Sequence, residues 1–279
     1  MKNFSFLFIL PLALLLFPLN GSTQDLFDSL STKRYADFLF QSANYNEAIE
    51  EYERLVFSFG ATEDIKLRLV QSYRLSGNND LGLKRMHSLW DEPAKVSGPI
   101  SKEFFSLRII NSDFSLIESS IESNQFLLPT EKIFLTSSAF LFRDEFQNAR
   151  TLLSEATGYP DPFIRNYLSI ADDALALKLK SPFLGGFMSA VVPGAGKFYT
   201  RNWEDGIISL IMVGGTAWQA YRGFSRKGTG SVLAWTYSII GAGFYIGNIY
   251  GSVKEVNRYN HNLKRGIRIR VEAVFYNNL

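Results

Sequence analysis

The chain has 279 residues, with 46% hydrophobic and 20% charged residues and a formal net charge of +2. So even a balance lacks the dense basic face that nucleic-acid binding demands, and the absence of cysteine excludes disulfides, thiolate metal sites, thiol nucleophiles and cysteine-linked lipids. The two histidines, His87 and His261, lie far apart, short of the three or four convergent ligands a metal site needs; no metal, no cofactor and no catalytic constellation is expected.

The first 24 residues read as an export signal. Lys2 supplies a positive start, Phe4 to Leu19 form an apolar run interrupted by Ser5, Pro11 and Pro18, and Asn20-Gly21-Ser22-Thr23-Gln24 is a small, polar exit. Cleavage after this exit and retention as an N-terminal anchor are both open; either way the following residues are carried across a membrane.

Residues 25–180 carry helical periodicity. In Tyr45–Val56 the apolar side chains at 45, 48, 49, 52, 55 and 56 fall on one stripe of a 3.6-residue period. The pattern returns 34 residues later, where Gly82, Met86 and Leu89 take the places of Ala48, Tyr52 and Leu55, and Ser76–Asp80 takes that of Gln41–Tyr45. A further copy starts at Arg143, with Ala149 in the Ala48 place and Leu153 in the Tyr52 place, and Asp113–Ile121 is a degenerate copy between them. Ala36, Val70 and Ala139 are read as the helix-crossing positions. A period of 34 is the mark of stacked helix–turn–helix units. On the signature Tyr45, Ala48, Tyr52, Gly82 and Ala149, residues 30–160 resemble the tetratricopeptide-repeat family. That resemblance implies an α-solenoid that binds partner proteins and does no chemistry. A plain spacer is the competing reading. The acidic residues around Glu50 and the pair Asp172-Asp173 are read as solvated helix faces.

Composition changes at Ser181-Pro182, and roughly two-thirds of the glycines lie between Gly185 and Gly251. A glycine-rich membrane domain is expected over 181–256, with a re-entrant segment at 183–199 and spans at about 204–224 and 230–253 joined by a short basic turn. Gly243, Gly247 and Gly251, four apart, would form a face for close helix packing, against the first span or a second copy of the chain. Gly194-Ala195-Gly196-Lys197 suggests a phosphate loop, but Phe198 stands where that loop needs Ser or Thr, and the earlier glycine is missing. Instead, Ser189-Ala190-x-x-Pro193-Gly194-x-Gly196-x-x-Tyr199 followed by an apolar hairpin resembles an uncharacterised family of bacterial envelope proteins, with Lys197 standing where that family usually carries Gln or His. On this resemblance Pro193, Gly194, Gly196, Lys197 and Tyr199 form a membrane-entry motif. Two or three spans, and hence the side of the C-terminus, remain open.

The basic tail, 257–279, alternates apolar residues at 267, 269, 271, 273 and 275, which predicts a short strand over 267–276. The sum is an all-α chain with one short strand: an exported α-solenoid followed by a membrane helical hairpin, in the bacterial envelope and most simply in its inner membrane. The expected role is a non-enzymatic adaptor whose partners are other envelope proteins and the lipid bilayer, with a homo-oligomer through the membrane helices as a further arrangement. The alternative is a small oligomeric channel built on the glycine-rich hairpin.

Overall fold

A computed structural model describes residues 28–279; the expected signal lies outside them. The described residues fold into thirteen α-helices and two 3₁₀ turns, without a strand. The chain divides into two compact units, one ending at Pro93 and one from Ala94 to Leu279.

The first unit holds α1 (Ser29–Gln41), α2 (Tyr45–Phe59), α3 (Glu63–Leu75) and α4 (Asn79–Leu89), each packed on the next. Asp28 caps α1 by accepting from the Ser31 amide. The core gathers Ala36, Leu39, Ala48, Tyr52, Leu55, Ile65 and Leu69. Ala48 is fully buried and small, so α1 and α3 can both close on α2. The Tyr52 hydroxyl donates to Asp37 Oδ1 at 2.7 Å, which lets a tyrosine sit at 0% exposure with its polar end satisfied. Arg85 grips Glu53 through two nitrogens at 2.9 and 2.6 Å and ties α4 to α2.

The second unit begins with α5 (Gly98–Ile110), α6 (Ile117–Glu122), α7 (Pro129–Phe142), α8 (Phe146–Glu155) and α9 (Pro162–Leu175). It continues through α10 (Pro182–Val191), α11 (Ala195–Tyr199), α12 (Trp203–Lys227) and the 46-residue α13 (Val232–Asn277).

One turn recurs along the chain. Ala43, Gly77, Ser112 and Asp144 each adopt positive φ, between 59° and 81°, just after α1, α3, α5 and α7. In every case the next residue's amide reaches back to close the helix: Asn44 to Leu39, Asn78 to Tyr73, Asp113 to Arg108 and Glu145 to Phe140, all at 2.9 Å. Five residues beyond each turn stand Ala48, Gly82, Ile117 and Ala149; nine beyond stand Tyr52, Met86, Ile121 and Leu153. All eight are buried. The degenerate copy at Asp113–Ile121 therefore has the same local geometry as the others, with isoleucines where small and large residues alternate elsewhere. Seven residues before each turn lie Ala36, Val70, Phe105 and Ser137, each fully buried. Ser137, not Ala139, thus occupies the crossing position expected for Ala139.

One further expectation is corrected. Residues 267–276 are not a strand; they lie inside α13. Every second residue there is apolar, so every fourth is as well, and Ile267, Val271 and Phe275 form a buried helical stripe at 6%, 0% and 0% exposure. Phe275 stacks on Phe134 (5.6 Å between centroids) and lies 5.1 Å from Phe142. Arg270 reaches Asp173 and Arg268 donates to the Phe142 carbonyl. By the same docking of α13 on α7 and α9, the last helix returns to the helices of 98–175 and joins them to 182–279 in one compact unit.

Candidate membrane interface

The residues between Lys180 and Asn260 build a small polar clasp inside a largely apolar exterior. Ser181 caps α10 through its side chain, and α10 runs antiparallel to α13 with Gly185 against Val256 and Gly186 against Val253. Pro193 follows the end of α10, where its missing N–H and fixed φ stop the helix. The chain then doubles back through α11, and Lys180 Nζ meets the Tyr199 carbonyl at the segment's far end.

The turn works because two positions lie against backbone without side chains of their own. Gly194 has φ +89°, and a β-carbon there would stand 2.2 Å from the Gly206 carbonyl oxygen; one at Gly196 would stand 2.0 Å from that of Gly185. Both contacts are to backbone, which cannot yield, so these positions admit only glycine. Such proximity would strand amide groups away from water, and α10 and α13 supply their partners. Asn248 Oδ1 accepts from the Gly194 amide at 3.0 Å, while its Nδ2 donates to the Ser189 carbonyl at 3.1 Å. Ser189 Oγ accepts from the Gly196 amide at 2.8 Å and pairs with Ser252 Oγ at 2.7 Å. Asn248 is 5% exposed and Ser189 and Ser252 are fully buried, so each bond forms where no water competes. Lys197 Nζ donates to Ser209 Oγ at 2.8 Å and joins α11 to α12. Asn260 closes the base, donating to the Lys180 carbonyl at 2.7 Å and accepting from its amide at 2.9 Å. The Lys180 ammonium sits over the Tyr259 and Tyr199 rings at 4.3 and 4.8 Å.

Around this clasp, α12 and α13 form an antiparallel hairpin. Gly223 faces Ala234 and Gly241 faces Thr216, the same interval on each helix. No Asp, Glu, Lys or Arg occurs from Gly206 to Tyr221 or from Gly228 to Val253. More than half of the large exposed apolar side chains among the described residues lie between Phe183 and Tyr250, including Phe187, Ile208, Ile211, Val232, Leu233, Ile239 and Ile246. Trp218, Tyr221 and Trp235 are exposed at the turn end of the hairpin, and Trp203 and Tyr250 at the other. By length and composition α13 is the one described helix able to cross a membrane, and only 11% of its most apolar stretch is buried by this chain. The charge-free part of α12 is shorter, 16 residues or about 24 Å at 1.5 Å each, against the ~30 Å of a hydrocarbon core.

No family model, curated protein or solved structure matches this chain.

The expected site residues are distributed as follows. Pro193, Gly194, Gly196, Lys197 and Tyr199 all belong to the clasp. Tyr45, Ala48, Tyr52, Gly82 and Ala149 lie in or beside the recurring turns. The glycine face does not close within the chain. Nothing stands within 4 Å of a β-carbon at Gly243 or Gly247, and Gly251 touches only the Lys197 side chain at 3.9 Å. Packing of the first span against Gly243 and Gly247 is therefore not observed; α12 meets Gly241 and Ala234 instead. Sequence reasoning overlooked Ser189, Asn248, Ser252 and Asn260 as a set. The available signal was Asn248, the one carboxamide in the charge-free stretch of α13, where a polar side chain needs a reason.

Among the described residues no group of three His, Asp or Glu side chains could hold a metal ion.

Proposed function

We propose that this protein is a non-enzymatic, membrane-anchored adaptor of the cell envelope. Its 182–253 region sits in the bilayer, and its helix–turn–helix units hold partner proteins in the periplasm. The observation that carries the reading is the concentration of exposed apolar side chains in Phe183–Tyr250, most of them on helices free of charge between Asp205 and Arg222 and between Lys227 and Lys254. A surface of that kind is unstable in water and at home in hydrocarbon. On this reading the fold-back of α10 and α11 is a re-entrant segment, whose backbone groups are satisfied by protein, as such depth requires. The fourfold recurrence of one turn at spacings of 34, 35 and 32 residues supports tetratricopeptide-like stacking, and with it a binding surface. The alternative, a small channel, is favoured by the vacant face at Gly243 and Gly247, which a second copy could fill.

Fractionation tests the anchor. The full chain is expected to resist extraction by high salt and alkaline carbonate and to float with vesicles. Recovery in the aqueous phase after a salt wash would overturn it. Crosslinking in detergent tests the adaptor against the channel. Recovery of other envelope proteins, lost when residues 30–160 are deleted, supports the first; self-crosslinks alone, with ion flux in liposomes that survives the deletion, support the second.

A further inference from the structure

At the turn end of the hairpin, Gln219, Arg222, Gly223, Arg226 and Lys227 of α12 and Ser231 and Leu233 of the α13 start line a cavity of about 300 Å³. Its construction is rigid. Gly223 lets Ala234 approach to 2.7 Å of a would-be β-carbon, so the two helices touch at the floor. Phe224 and Trp235 meet edge to face at 5.4 Å, and the Trp235 indole N–H donates to the Thr229 carbonyl at 3.0 Å, fixing the turn. Three cations share this small space. The sequence contains no Asp or Glu between Asp205 and Glu255, so no neighbouring carboxylate on either helix neutralises them. Like charges gathered on a fixed scaffold call for an anion with several acceptor oxygens. Immediately below lie exposed Val232, Leu233, Trp218, Tyr221 and Trp235, a surface suited to acyl chains and to the headgroup boundary.

We propose that this cavity binds the phosphate of an anionic phospholipid headgroup, Arg222 and Arg226 gripping its oxygens and Lys227 adding charge. The two arginines, four apart on one helix face, present planar forks matched to phosphate geometry. The assignment rests on the membrane reading above and names the lipid chemistry that reading leaves open. Phosphate is the shared chemistry of a lipid headgroup and of free inorganic phosphate. The apolar surface beneath the cavity selects the lipid.

The test uses the full chain purified in a neutral detergent, with retained lipid counted by native mass spectrometry. Three probes are compared: phosphatidylglycerol, phosphatidylcholine and inorganic phosphate. Phosphatidylglycerol is expected to be retained at a stoichiometric level and phosphatidylcholine much less. R222Q/R226Q should weaken phosphatidylglycerol binding on the order of tenfold or more. The charge-keeping R222K/R226K should recover part of it, because charge survives while the fork does not. K254Q/R258Q, at the other end of the hairpin, should bind as the wild type does. Equal retention of phosphatidylglycerol by wild type and R222Q/R226Q overturns the assignment, as does equal retention of the two lipids. Displacement of phosphatidylglycerol by inorganic phosphate at comparable concentration overturns the lipid source in favour of the free anion. Vesicle flotation of R222Q/R226Q separates the two layers of the argument. A variant that still floats but has lost phosphatidylglycerol supports the site. A wild type that fails to float brings down the membrane reading itself.

Discussion

Replacing Asn248 by alanine removes the two hydrogen bonds its carboxamide makes to the Gly194 amide and the Ser189 carbonyl. The Gly194 amide, buried beside the Gly206 carbonyl, then loses the acceptor it uses, Asn248 Oδ1. An orphaned buried donor costs about 1–3 kcal/mol. The carboxamide also leaves a void at a site only 5% exposed, which brings the expected loss to about 2–4 kcal/mol. For a body of this size, about 2–4 °C accompanies each kcal/mol, so the melting midpoint should fall by about 5–15 °C. Thermal unfolding in mild detergent, followed by tryptophan emission, reads the change, since Trp203 packs on Phe198 beside the clasp and Trp218 and Trp235 stand at the far end of the same hairpin. Asn248→Asp should be no better: it restores an acceptor for Gly194 but turns an oxygen toward the Ser189 carbonyl. Its neighbour Gly247 is the control, because open space surrounds it; Gly247→Ala should be neutral or gain up to about 1 kcal/mol of helix propensity. If Asn248→Ala melts with the wild type, the clasp does not hold the turn and the site as described is wrong.

Three other outcomes are expected. Gly196→Ala places a methyl 2.0 Å from the Gly185 carbonyl oxygen and should prevent stable folding of the hairpin, seen as loss of detergent-soluble monodisperse protein; normal yield and melting would contradict the described contact. Phe275→Ala empties a fully buried site among Phe134, Phe142 and Tyr276 and should cost about 3–5 kcal/mol, with protease sensitivity appearing within the last turns of α13; a resistant C-terminus would speak against its docking. The third concerns acid. Burial works against the Asp37 charge, but hydrogen bonds from Lys33 and Tyr52 outweigh it and hold the carboxyl below its ordinary value. A depressed folded-state value contributes stability above the unfolded pKa of about 4 and loses it as pH falls through the folded value. Tyr52→Phe should therefore lower the midpoint near pH 7 and shrink its drop between about pH 7 and pH 3; an unchanged pH dependence would show that the pair is not coupled.

The recurring turns were legible because their grammar is local: small and large apolar residues at fixed offsets, readable at Ala48, Tyr52 and Ala149. Ser137 was misplaced because a run of Ser137, Ser138 and Ala139 offers three small residues, and only the position of the turn at Asp144 chooses among them. The tail misled because alternation and helical periodicity coincide at 267, 271 and 275; a strand and a four-residue stripe share every second member of the series. The clasp was half visible. The glycines and Pro193 announced a tight turn, whereas Asn248, Ser252 and Asn260 lie more than fifty residues downstream, and no local rule pairs them with Ser189 or Lys180. The vacant face at Gly243 and Gly247 carries the reverse lesson, since equal spacing marks a surface without naming what covers it.

The length of α13 has a mechanical consequence. From Val253 to Phe275 it rises about 33 Å without a break, and no glycine pair, proline or unpaired segment interrupts it there. A rod gripped at both ends cannot swivel. On the proposed reading, the helices of 98–175 stand at a set height and heading above the lipid surface, and torque on them is delivered straight to the hairpin. Inserting two residues beyond Val253 would turn that body through about 200°, an exact dial for asking whether its cargo must face one way.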